Sequence, residues 1–114
     1  MNNVSDQQLP PWDQEKADRL VGKYVLVGIT WLAADQQTVE SQGEYHGRIT
    51  GVDREKGITV VCEGRAAGQT MELPPVPSAF QEARPGNYRL QSTDEVIENP
   101  DFTCAWTFTA PAHS

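Results

Sequence analysis

Glu44, His46 and Arg48, at alternate positions of the segment EYHGR, are the residues of this 114-residue sequence best placed for chemistry. Alternate residues of a strand share a face, so these three side chains would stand in one row. A carboxylate beside an imidazole favours its protonated form, which general acid or base work near neutrality needs. The same spacing describes an ordinary polar strand face, and that reading carries more weight because nothing else completes a reaction centre. Cys62 and Cys104 sit in apolar strands without a basic neighbour, so they read as packed thiols in a reducing compartment and not as nucleophiles or a disulfide. Asp53 with Glu55 and Asp94 with Glu95 are acid pairs, but they fall in turns, where carboxylates are solvated. His113, the other histidine, lies at the far end of the chain, so no metal ligand set forms. No glycine-rich stretch opens a helix, which removes a phosphate loop. The sequence names no catalytic residue, no metal and no cofactor.

Three tryptophans, Trp12, Trp31 and Trp106, are many for so short a chain. Packing between helix and sheet is the main use expected of them, but a tryptophan left at the surface is the residue type richest in contact hot spots. Trp12, Trp31, Tyr45, His46 and Arg48 are therefore the candidate binding residues.

Charge limits the partners. Nine basic against sixteen acidic residues give a net charge of −7, negative in every third of the chain. Nucleic-acid affinity comes largely from clustered Lys and Arg on phosphates, so nucleic acid is disfavoured, as is an anionic membrane surface. A basic protein partner is permitted. Met1 to Leu9 has neither a basic start nor an apolar run, and no window approaches the apolar length of a membrane helix, so the expected location is the cytoplasm.

The elements that must position these residues centre on KYVLVGITWL, residues 23–32, which is apolar on both strand faces and so belongs in the middle of a fold. A polar tail over residues 1–9 precedes it, followed by Pro10, Pro11 and a short helix over Trp12–Val21 that Gly22 ends. Residues 44–62 read as a hairpin: an alternating strand with Gly43, Gly47 and Gly51 every fourth position, a charged turn Asp53–Gly57, and the β-branched run ITVVC. Glycines at that spacing predict a bent strand or close approach of another backbone. Tyr45, Gly47, Ile49 and Gly51 share its inner side, with Val52 opposite. A fourth strand, Thr70–Leu73, stops at Pro74 and Pro75. Asn87–Gln91 and Val96–Glu98 form a further pair, and Cys104–Thr109 closes the domain before a frayed tail at 110–114. The expected architecture is mainly β: one domain over residues 10–109, a small barrel of about five to seven antiparallel strands with one short N-terminal helix. About 65% of the unfolded surface is buried in a chain of this size, enough for one modest core.

That order of helix, long strand, bent strand, hairpin and proline-interrupted strand resembles the Sm-like version of the Src-homology-type (SH3-like) small barrel. The blocks VGITWL, EYHGRI, GVDREKGI and GNYRLQSTDEVIENPDF resemble short uncharacterised bacterial proteins, across roughly Lys23 to Phe108. RNA-binding Sm-like proteins carry an Asp/Asn loop pair and a later Arg-Gly pair. Here Asp53–Lys56 does not supply the first and Gly64-Arg65 reverses the second, so RNA binding is not implied.

On sequence alone the leading function is a non-catalytic module that contacts protein, chiefly a second copy of itself as a homodimer, because a proline-interrupted barrel leaves strand edges exposed. A small acidic inhibitor or immunity-type protein that blocks a basic enzyme is the alternative.

Overall fold

A computed structural model of the chain describes residues 12–109. The expected tails at 1–9 and 110–114, the Pro10-Pro11 pair and His113 lie outside that range. Helix α1 spans Gln14–Leu20. Asp13 caps it, its side chain accepting the Lys16 N–H at 3.0 Å, and this removes one of the orphan donors of the first turn. Ala17 and Leu20 are the buried face. The helix starts two residues later and stops one residue earlier than the sequence pattern implies. The extended Val21 ends it, and Gly22 takes a φ of +84° as the chain turns into the sheet.

Eight strands follow: β1 (Tyr24–Leu32), β2 (Val39–Asp53), β3 (Gly57–Cys62), β4 (Thr70–Leu73), β5 (Gln81–Glu82), β6 (Asn87–Arg89), β7 (Val96–Glu98) and β8 (Phe102–Thr109). Six form one sheet in the order β4-β3-β2-β1-β8-β5, and β6 pairs with β7 apart from it. The fold is mainly β, as the sequence implies, but two features of the expected barrel need correcting. The sheet does not close: β4 and β5 are separate edges, because Pro74 and Pro75 cut β4 short and cannot donate to a ladder. Nor are all strands antiparallel. β8 runs parallel to β1, pairing Val25 with Phe102 through Leu32 with Thr109. The long excursion through β2 to β7 gives the chain room to re-enter in the same direction.

β2 is one fifteen-residue strand that begins at Val39, ahead of the residue 44 at which the alternating pattern starts. Its register shifts between Ile49 and Gly51, and an extra residue of this kind turns the following side chains over. Val52 consequently faces the core cluster, not the polar side. The glycines of β2 differ in use. At Gly47 a Cβ would collide with the backbone carbonyl of Val61, the close approach that the spacing predicts. At Gly43 the Tyr45 ring lies over the bare backbone.

The two faces of β1 are covered differently. Val25, Val27 and Ile29 point into the main core with Leu20, Ile49, Ile58, Val60, Leu73, Phe80 and Phe102. The opposite face carries Leu26 against Leu90 and Ile97 of the β6–β7 hairpin, with Tyr24 and Tyr88 at the margin. Burial on both sides is what the apolar run of β1 requires. Beyond Gly28 only Ile29 of this strand is buried, and Trp31 is exposed.

Candidate functional site

His46 is 5% exposed and is the one buried polar side chain among the described residues. β2 carries it on the face turned toward the β6–β7 hairpin, opposite Leu26 in the ladder. Its Nδ1 lies 2.6 Å from the Tyr24 hydroxyl and its Nε2 3.1 Å from Glu95 Oε2. One tautomer satisfies both contacts: Nε2–H donates to the carboxylate and Nδ1 accepts the phenol proton. Tyr24 is also 3.3 Å from Glu63 Oε1. Burial of the phenol, then the charge of Glu63 beside it, push its pKa up to about 12 and keep it an O–H donor. Glu95 is held below the usual carboxylate range, first by the hydrogen bond from His46 and then by those of Thr93 and the Arg65 backbone N–H.

Gly64 makes this closure sterically feasible. It opens a 3₁₀ turn, Gly64–Ala66, with φ +68°, and a Cβ there would strike Glu95 Oε2 and come hard against the His46 ring. Only glycine lets the turn lie against the imidazole. The chain of contacts ties β1, β2, the 3₁₀ turn and the loop before β7 together. Its chemistry is that of a clamp: both ring nitrogens are occupied and the imidazole is sealed from solvent.

The row Glu44, His46, Arg48 shares a face, as the alternation implies, but its members do not act on one another. The Glu44 carboxylate accepts the Ser92 N–H at 2.8 Å. Arg48 donates to the Gly22 carbonyl at 2.7 Å and lies 5.3 Å from the centre of the Tyr24 ring. Glu95 is not a solvated turn acid, whereas Asp94 beside it does bind Arg89 at the surface. Tyr24, Glu63 and Glu95 escaped the sequence reading. For Tyr24 a signal existed, since β1 pairs with β2 and brings it diagonal to His46. Glu95, forty-nine residues away, had none. Among the described residues no group of three or more His, Cys, Asp or Glu side chains could hold a metal ion. Cys62 and Cys104 are free and buried, and burial pushes the Cys104 thiol up to about 12.

The remaining candidates lie elsewhere. Trp12 is half-buried and its indole N–H donates to Gln14 at 2.8 Å. Tyr45 packs on the main core from its edge. Trp31 is 42% exposed, and its ring sits 5.0 Å from that of Phe108 across the β1–β8 pair. Trp106 meets Phe80 edge to face at 6.2 Å. Trp31 thus stands at an end of the sheet that, among the described residues, is made by the three strands β2, β1 and β8. There β2 from Val39 to Tyr45 has no strand outside it, and β8 from Cys104 to Thr109 has none on its outer side, among the described residues. One face of this end bears Trp31, Phe108, Trp106 and Tyr45. The other bears Gly28, Thr30, Gln42, Glu44 and Thr107 under the tip of the hairpin, lining a cleft of about 460 Å³.

No family model matches the chain, and neither a curated protein nor a solved structure matches it. Among the described residues no helix is long and apolar enough to cross a membrane.

Proposed function

We infer that the protein is a non-catalytic interaction module that works by self-association. One observation carries this reading. At this sheet end an exposed Trp31 on the interior strand β1 stacks on Phe108 of β8, and the flanking strands β2 and β8 have outer edges that are unpaired among the described residues. An open edge offers a row of backbone donors and acceptors to another chain, and an aromatic beside it offers apolar area to bury. Folding alone gives no reason to hold the ring there, since full burial of a side chain of that size contributes about 2 kcal/mol or more.

The non-catalytic half of the reading is supported by His46. The residue most suited to proton transfer is buried and spends both nitrogens on Tyr24 and Glu95. The buried free thiols fit a reducing compartment, and the reading places the protein in the cytoplasm. The Sm-like resemblance is retained only as a shared order of elements, with no RNA site taken from it. Sedimentation at micromolar concentration tests the function directly. A mass of two chains that falls to one in Trp31→Ser is expected, and a single-chain mass for the unaltered protein at every concentration ends the reading.

A further inference from the structure

Among the described residues this end of the sheet has two unpaired edges, and they differ in charge. The outer edge of β2 carries Glu40 and Glu44, with Glu63 where β3 leaves it. Antiparallel pairing of this edge with its own copy, centred on Gln42, sets Glu40 opposite Glu44 of the second chain, and like charges directly opposite are destabilising. The edge of β8 is FTCAWTFT, without a single charge or proline, in a chain of net charge −7. Among the described residues β5 covers it at Phe102 and Thr103 alone, and no strand pairs with the outer side of Cys104–Thr109. Edges in stable monomers are guarded by charge, proline or brevity. Among the described residues this one has none of those guards, and along it two acidic copies can approach without carboxylates meeting.

We propose that a second copy of this chain pairs antiparallel along the outer edge of β8, about a two-fold axis at Thr107. The proposal rests on the self-association inferred above and specifies its seam. A two-fold normal to a sheet relates residues of the same face, so centring on Thr107 sets Thr107 opposite its own counterpart, Ala105 opposite Thr109, and Trp106 opposite Phe108. Threonine pairs and aromatic pairs are among the favourable cross-strand neighbours. Trp31, already stacked on Phe108, then becomes part of one aromatic row that runs through Phe108 to Trp106 of the second copy. The pairing uses the same strand on both chains and therefore closes as a dimer. Joining β8 of one chain to β2 of the next would instead be a head-to-tail contact, which gives a ring or a filament and not a two-fold dimer.

Cross-linking tests the seam. Thr107 is exposed, so Thr107→Cys leaves the fold of a single chain undisturbed, and diamide, the oxidant, should convert the facing thiol pair to an intermolecular disulfide. The unaltered protein, whose two thiols are buried, should give none. Thr107→Glu should weaken association by about tenfold or more, because two carboxylates then face each other. Dimers that cross-link through Thr107→Cys and dissociate in Thr107→Glu support the proposal. A dimer that neither cross-links nor responds to Thr107→Glu overturns the seam and leaves self-association standing. A protein that is a single chain throughout overturns both.

Discussion

Strand β1 passes through two regions built on different terms. From Tyr24 to Val27 both faces are covered, by the main core on one side and the β6–β7 hairpin on the other, and the polar groups that enter are tied to partners. From Gly28 to Leu32 the same strand has a neighbour on each side, but its burial falls away along the segment. Ile29 still enters the main core, whereas Gly28, Thr30 and Leu32 are half-buried and Trp31 is exposed. In the first region residue choice is explained by stability. In the second, Trp31 is not explained that way, and self-association is the use proposed for it.

Substitutions can break this contrast. The largest loss is expected for Ile49→Ala, wholly buried in the main core, at about 2–5 kcal/mol in a urea titration. A loss below about 1 kcal/mol would mean that the covered half is not the seat of stability. Next comes His46→Ala, which leaves the Tyr24 hydroxyl and the Glu95 carboxylate short of a partner and should cost about 1–3 kcal/mol. Amide exchange should quicken at Val96–Glu98, the strand this clamp holds down. Unchanged exchange there would show the hairpin held by Leu90 and Ile97 alone.

A smaller effect is expected from acid. The Glu95 carboxyl titrates below its ordinary value of 4.5 in the folded state, so its contribution to stability is complete above that value and is lost as pH falls through the lower, folded one. Glu95→Gln should flatten the fall in stability over that window. An acid limb identical in both proteins would remove Glu95 from the clamp's energetics. The smallest change in folding is expected for Trp31→Ser, within about 1 kcal/mol from the lost contact with Phe108, whereas the proposed dimer should be lost. Destabilisation comparable to Ile49→Ala would move Trp31 into the core and erase the distinction between the two regions.

Some of this could be read before any coordinates. Local rules are short-ranged, and where they operate the pattern of residues suffices. The doubly apolar run of β1, the Asp53 turn that accepts backbone N–H groups from Glu55 and Lys56, the helix ended before Gly22, and Gly47 under a crossing backbone are all of that kind. The Glu44–His46–Arg48 row was legible as a shared face but not as a set of contacts, because each side chain is claimed by something distant in sequence.

What the amino-acid order determined by itself was a mainly β chain with a central strand, one hairpin around a charged turn, and a polar strand face bearing a histidine. Tertiary structure alone decided that the sheet stays open, that β8 enters parallel to β1, and that His46 is clamped between Tyr24 and Glu95. The reason is that periodicity specifies which way a side chain points, while partners dozens of residues away are chosen by how much apolar surface each arrangement buries. That sum belongs to the whole fold and is carried by no single segment.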